Sequence, residues 1–259
     1  MAARSDLSIL PGGTGAALRF RALGRVEDLD IDFAAPDRPR LVTTVLACCA
    51  EPPQEAGTVI ALTLAARIGG LLAVWTAGNC IDTLEFRLRC PVGTCGADLE
   101  AAVPVDALME LARTAETTRG LSRADLTLRR PTGADQRRWR AAMPCDDPEA
   151  AILASLLESG TLPTTQEARD DLAEALAEFD PLPAFSVAAR CPDCGAEATH
   201  PIDLEGALLD RLAADQSRLF TEIDTLARRY GWRDIDILAM PARRRARYLR
   251  IAETAEGWM

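Results

Sequence analysis

Two short cysteine turns constrain this chain more than any other feature in it. The first is Cys90-Pro91-Val92-Gly93-Thr94-Cys95-Gly96, and the second is Cys191-Pro192-Asp193-Cys194-Gly195. Such a turn brings two thiolates to one side of a metal ion. The glycine after the second cysteine lets backbone N–H groups face sulfur. Two turns supply the four ligands of a tetrahedral zinc site, so Cys90, Cys95, Cys191 and Cys194 are the candidate ligands of one Zn2+. Four residues separate the first pair and two the second, and both spacings lie in the ligand range. Four cysteine ligands leave no open position for water or substrate, so the site is expected to be structural. Two rivals stand beside zinc. A redox Cys-x-x-Cys sits at a helix N-terminus, whereas Cys194 is followed by Gly-Ala-Glu-Ala-Thr-His-Pro, which does not begin a helix. Metal-free buried thiols are the other.

The turns belong to an internal repeat. Phe86, Cys90-Pro91, Cys95-Gly96-Ala97-Asp98, Pro104-Val105-Asp106 and Leu108 match Phe185, Cys191-Pro192, Cys194-Gly195-Ala196-Glu197, Pro201-Ile202-Asp203 and Leu208. Each unit reads strand, cysteine turn, strand, helix. The turns are about 100 residues apart in sequence, yet they are expected to meet at one metal. The segment 105–180 is then a helical insertion between the halves of one zinc ribbon.

No secretory signal is visible at the start, and without export eight cysteines argue for thiols or metal rather than disulfides. Val59–Ala77 is the most apolar stretch, but Arg67 in its middle is costly in lipid, so it reads as a core helix and not a span. The net charge of −10 excludes nucleic-acid binding through the bulk field. The sign is uneven, however: eight arginines stand against Asp234 and Asp236 between Leu226 and Arg250.

Helix formers dominate and aromatics are few, which predicts an α+β fold, mainly α-helical. Residues 1–58 read as a β/loop region, with strands at Leu18–Leu23 and Leu41–Cys49. Residues 59–203 hold the apolar helix, with Thr63 as N-cap, and the split ribbon. In this region strands are expected at Leu84–Arg89, Ala124–Arg130 and Phe185–Ala188. Helices are expected at Val105–Ala115, after an Asp135 cap, at Glu149–Ser159 with an Asp147-Pro148 start, and from a Thr164/Glu167 capping box to Asp180-Pro181. Residues 204–259 form a helical end. An apolar stripe through Leu208, Leu212, Leu219, Ile223 and Leu226 predicts a long helix over 204–230 stopped by Gly231. A short helix over 234–239 and a last one opened by Pro241 follow.

No catalytic constellation is visible. His200 is the sole histidine and is expected on the strand after the second turn. Cys48, Cys49, Cys80 and Cys145 lack partner spacing and read as reduced thiols. Asp146-Asp147 and Asp170-Asp171 read as caps and solvated faces. Gly12-Gly13-Thr14-Gly15 is too short for a phosphate loop, and Pro131-Thr132-Gly133 reads as a turn.

The order of these features resembles the zinc-ribbon-containing baseplate-assembly proteins of contractile phage tails and phage-tail-like injection systems, grouped with the phage T4 baseplate hub proteins. The carrying residues are Cys90-Pro91 to Cys95-Gly96, Leu128-Arg129-Arg130-Pro131-Thr132-Gly133-Ala134-Asp135, Asp180-Pro181 and Cys191-Pro192-Asp193-Cys194-Gly195. The C-terminal block adds Glu222-Ile223-Asp224-Thr225-Leu226-Ala227, Tyr230-Gly231-Trp232, Ile237-Leu238-Ala239-Met240 and Arg243-Arg244-Arg245-Ala246-Arg247-Tyr248-Leu249. The resemblance covers roughly 59–253. It departs from the family pattern in the longer first turn and in Arg233, where a capping Ser or Thr is common. It implies a non-enzymatic part or assembly factor of a baseplate hub, cytoplasmic during assembly, with baseplate or tail proteins as partners. Trp232 and Tyr248 are then anchors for the terminal helices, and Arg243, Arg244, Arg245 and Arg247 the surface for an acidic partner. The alternative is a zinc-ribbon adaptor that binds nucleic acid or a protein through the same arginines, and a thiol-disulfide enzyme is a third class.

Overall fold

In a computed structural model, which describes residues 18–79, 81–115, 118, 120–123 and 125–256, the apolar run folds as a helix buried on every side. Along the chain come β1 (Arg19–Phe20), a 3-10 turn (Val26–Asp30), α1 (Arg38–Cys49), β2 (Ala50–Glu51), α2 (Ala56–Ile60), α3 (Leu64–Gly78), β3 (Thr83–Arg89), β4 (Asp98–Pro104) and α4 (Val105–Ala115). Then follow β5 (Gly120–Arg123), β6 (Leu126–Arg129), α5 (Gly133–Ala142), α6 (Pro148–Leu156), β7 (Leu157–Ser159), α7 (Gln166–Phe179), β8 (Ser186–Arg190), β9 (Glu197–Pro201), α8 (Leu204–Tyr230), α9 (Asp234–Leu238) and α10 (Ala242–Glu256). The fold is α+β and mainly helical. Its described strands form four small antiparallel sheets: β1–β2, β3–β4, β5–β6–β7 and β8–β9.

Every α3 residue from Leu64 to Thr76 is buried, and Thr63 caps it by accepting from the Ala66 N–H. The main core gathers around α3. It takes Val42, Val45 and Leu46 from α1, Leu108 and Ala112 from α4, and Leu204, Leu208 and Leu212 from α8. No helix is long and apolar enough to cross a membrane among the described residues.

Arg67 sits at 0% exposure inside this core. Its Nη1 donates to Thr43 Oγ1 at 3.1 Å and to the Val59 carbonyl at 3.0 Å, and its Nη2 donates to the Pro39 carbonyl at 2.7 Å. Burial pushes its pKa down to about 10 against the opposing pull of Glu205. One side chain thus ties α1, the end of α2 and α3 together. Gly133 lies against the guanidinium: a Cβ there would stand 2.6 Å from Arg67 Cζ.

That close approach explains the Pro131-Thr132-Gly133 segment, which is more than a turn. Leu64 N–H donates to the Pro131 carbonyl and Gly133 N–H to the Leu62 carbonyl, at 2.8 and 3.1 Å. Thr132, not Asp135, is the N-cap of α5. Asp135 is the third residue of the capping box and accepts from the Thr132 N–H and hydroxyl. Arg129 also donates to both its oxygens, at 2.5 and 2.9 Å, and Arg138 adds a further contact.

The other departures from expectation have physical causes as well. Leu41–Cys49 is helix, not strand. Its buried residues Leu41, Val42, Val45, Leu46 and Cys49 follow a helical period, Asp37 caps the start, and Thr43 bonds back to the Pro39 carbonyl. The helical burial period prevails over the β-branched composition. The helix expected over Glu149–Ser159 stops at Leu156, because Leu157–Ser159 turns into β7 and pairs with β6. Helix α7 has Thr165 as its N-cap residue without a side-chain bond, so the Thr164 capping box does not form. Segment 105–180 is therefore not purely helical. It carries the β5–β6–β7 sheet and its own small core of Leu126, Leu128, Leu153, Leu156 and Leu172. Arg130 and Asp180, both buried, pair at 2.8 Å and close this segment back on itself.

Arg67→Met should remove three donors from buried acceptors and cost about 3 kcal/mol or more of stability; urea unfolding within about 1 kcal/mol of the parent would overturn the role given to it. A second outcome concerns acid. Burial alone would raise the Asp135 pKa, but the hydrogen bonds from Arg129 and Thr132 outweigh it and hold the carboxyl well below the usual carboxylate range. Its contribution is then full above the unfolded carboxylate pKa and is lost as pH falls through the depressed folded value. The stability gap between the parent and Asp135→Asn should accordingly narrow as pH drops from neutral, which unfolding curves at a series of pH values will read.

Candidate metal centre

Each half of the candidate site is a β-hairpin whose tip is a cysteine turn. β3 pairs with β4 from Thr83↔Pro104 to Arg89↔Asp98, and β8 pairs with β9 from Ser186↔Pro201 to Arg190↔Glu197. The hairpins close alike. Cys90 N–H donates to the Ala97 carbonyl and Cys191 N–H to the Ala196 carbonyl, both at 2.8 Å. Gly96 and Gly195 follow the second cysteines at φ 61° and 74°, a left-handed turn that a residue with a Cβ resists. The two extra residues of the first turn do not alter this closure. Gly96 N–H returns to the Val92 carbonyl as Gly195 N–H returns to that of Cys191.

The hairpin tips meet. Cys90 Sγ lies 3.7 Å from Cys194 Sγ, and Cys95 Sγ lies 3.7 Å from Cys191 Sγ. All four sulfurs fall within 4.8 Å of one another. Residues 104 and 96 positions apart in sequence are thus brought into one cluster. A sulfur tetrahedron around zinc, with Zn–S near 2.3 Å, has edges of about 3.8 Å. The observed separations match that size, and they are far too long for S–S bonds, which are about 2.05 Å. The donor set therefore fits a tetrahedral metal ion.

Cys90 and Cys191 are buried, at 5% and 2% exposure, and pack with Leu99, while Cys194 is exposed. Backbone amides point at the sulfurs, as such turns are built to do. The N–H groups of Cys194 and Asp193 lower the Cys191 thiol to about 7. At Cys95 the Ala97 N–H pulls the same way, but desolvation and the neighbouring sulfurs push the thiol up to about 12. Cys90 is likewise raised, despite the N–H of Val92. Four sulfurs this close cannot all be anionic without a cation among them, and a divalent ion supplies that charge.

One pair of residues escaped the sequence reading. Arg89 Nε donates to the Gly96 carbonyl at 3.1 Å, and Arg190 Nε donates to the Gly195 carbonyl at 3.3 Å. Each arginine clamps the glycine turn of its own hairpin. The signal was available, because an arginine directly precedes the first cysteine in both halves of the repeat.

His200 lies on β9 opposite Val187, outside the four-sulfur cluster, with its Nε2 buried and unpaired. Cys48 is half-buried, Cys49 buried and Cys145 exposed, and none of the three joins the cluster. Cys80 and Gly12-Gly13-Thr14-Gly15 lie outside the described residues. Asp147 caps α6 by accepting from the Ala150 N–H at 3.0 Å. Asp170 and Asp171 are exposed on α7.

No protein-family model matches this chain, and no curated protein or solved structure is significantly similar to it.

The purified chain should carry one zinc per molecule by elemental analysis, and Cys191→Ser or Cys194→Ser should release it. Binding free energy at such a site is folding free energy, so a chelator should lower Tm. Protein purified without chelator that holds no metal would defeat the assignment.

Proposed function

We propose that this chain is a non-enzymatic structural or assembly component of the baseplate hub of a contractile phage tail or phage-tail-like injection system, with one zinc ion as a permanent staple. The observation that carries the structural half of this reading is the closed four-sulfur cluster. Its four thiolates complete a tetrahedral metal shell and leave no place for a substrate. A metal held in this way fixes two distant hairpins and does no chemistry. The baseplate half rests on the resemblance across 59–253.

Residues of that resemblance that are scattered in sequence come together in space. Arg130 of the Leu128–Asp135 block pairs with Asp180 of the Asp180-Pro181 block. In the C-terminal block, Tyr230 stacks on Trp232 with ring centroids 4.5 Å apart, and Tyr248 meets Trp232 edge-on at 4.9 Å. Arg245, expected on the outer surface, is instead buried at 9% exposure and pairs with Glu222 at 2.7 Å. It holds α10 to α8 and is removed from the docking surface. Arg243, Arg244 and Arg247 remain exposed, with no ion pair among the described residues.

The nucleic-acid reading draws on those same free arginines. Against it, Trp232 and Tyr248 are engaged with each other rather than interleaved as stacking platforms.

Deletion of the gene in its host should abolish intact contractile particles, and the parent chain should restore them in trans. Complementation by Arg243→Gln/Arg244→Gln/Arg247→Gln should yield soluble, zinc-loaded protein but few particles by electron microscopy. Normal particles from the deletion strain would overturn the baseplate reading. Full complementation by the triple variant would reduce the arginines to a solvated face.

A further inference from the structure

An apolar groove of about 590 Å³ runs between α5, α6 and α7, lined by Trp139, Ile152, Leu153, Leu156, Leu176 and Ala177. From α7 and its C-cap the groove takes Ala173, Leu176, Ala177 and Asp180. Away from that face the helix is acidic: Glu167, Asp170, Asp171, Glu174 and Glu178 are all exposed, and its one arginine, Arg169, already pairs with Asp147. Asp170, Glu174 and Glu178 recur every four residues, a row of carboxylates about 12 Å long on one side of the helix. Asp170 accepts a bond from the Gln166 side-chain amide at 2.7 Å.

Helix α10 presents the opposite pattern. Arg243, Arg247 and Arg250 are exposed at a spacing of four and three, a cationic row about 10 Å long. None of the three is ion-paired among the described residues. Ile251 follows this row at 49% exposure, a large apolar side chain in contact with water beside four-square positive charge. An acidic row on a helix that also lines an apolar groove and a basic row ending in an exposed isoleucine complement each other in sign, in length and in apolar content.

We propose that the groove docks a second copy of this chain. Helix α10 of one copy lies along α7 of the next, with Arg243, Arg247 and Arg250 opposite Asp170, Glu174 and Glu178 and Ile251 entering the groove. The two surfaces are different patches of one molecule, so the contact is made twice, reciprocally, in a two-fold dimer or repeats head-to-tail into a ring or filament. This names the acidic partner of the arginine surface and rests on the docking reading above, not on the baseplate reading.

The test uses the purified full-length, zinc-loaded chain and sedimentation velocity across ionic strength. Oligomers should form at low salt and dissociate as salt screens the exposed pairs. Arg243→Glu/Arg247→Glu/Arg250→Glu and Asp170→Arg/Glu174→Arg/Glu178→Arg should each weaken association by about tenfold or more, with unchanged far-UV circular dichroism and zinc content. Mixed together, the two reversed variants should associate again, because each supplies the charge the other now needs. Ile251→Asp, which leaves the arginines intact, should also weaken assembly. A parent chain that stays monomeric at every salt concentration would overturn the proposal and leave the groove to another partner. So would a mixture of well-folded reversed variants that fails to associate. Neither result bears on particle assembly in the host, so the baseplate reading stands or falls separately.

Discussion

Four sulfur atoms within 4.8 Å of one another set the terms for the rest of the molecule. A chain gains nothing by bringing four thiols together unless a cation joins them, because the anionic forms repel and the neutral forms bond weakly. Closing a loop of about 100 residues costs conformational entropy that grows only slowly with length, so one strong staple can afford a long insertion. The consequences reach beyond the hairpins. β4 runs straight into α4 and β9 into α8, and both helices pack on α3. Fixing the two turns therefore fixes the points from which two core helices depart. The repeat is a structural unit, not a coincidence of sequence: Val105 N–H bonds to the Asp82 carbonyl where Ile202 N–H bonds to that of Phe185.

A second long-range knot answers the question of what holds the insertion to the core. Among the described residues no carboxylate forms an ion pair with the buried Arg67, and its buried Nε meets no partner. Its Nη1 and Nη2 meet two backbone carbonyls and one hydroxyl; such acceptors suit a guanidinium because it is weakly hydrated and its N–H groups are fixed in direction. Gly133, at the entry to α5, lies directly against the guanidinium. A side chain there would displace the arginine, so the glycine and the arginine have to be considered together. The insertion thereby meets α3 twice, through the Thr63–Thr132 bridge and through Arg67.

The parts legible in the sequence were those where local chemistry and long-range packing agree. Helix α8 was readable because the apolar stripe and Gly231 mark the same segment; Gly231 ends it at φ 66°, and Asp203 caps its start. The hairpins were readable because alternation runs directly into a cysteine turn. Elsewhere tertiary demand overrode the local signal. Helix α1 is rich in Val and Thr, but Arg67 uses its Pro39 carbonyl and Thr43 hydroxyl, and that need exists only in the folded core. β7 follows a strong helix because β6 needs a partner. Arg245 sits in a run of arginines that looks uniform, yet Glu222, 23 residues earlier, picks it out. No pattern within the run could show which arginine faces inward.

The two halves of the repeat also diverge in a way that bears on function. After the same hairpin, α4 runs for 11 described residues and α8 for 27, the latter about 40 Å of helix. The first half of α8 does what α4 does, burying Leu204, Leu208 and Leu212 against the core. Gln216 then marks a change of role. Its side-chain amide donates to the carbonyls of Asp28 and Ile31, at 2.8 and 2.9 Å, and ties the helix to the 3-10 turn near the start of the described chain. Beyond that point only Leu219 and Leu226 are buried on α8, and the helix serves as a support for α9 and α10. The aromatic trio of Tyr230, Trp232 and Tyr248 and the Arg245–Glu222 pair hold those short helices in place. Of the two like hairpin units that meet at the four-sulfur cluster, the second alone continues into a long helix, and the few apolar contacts of its outer half serve to present a cationic helix.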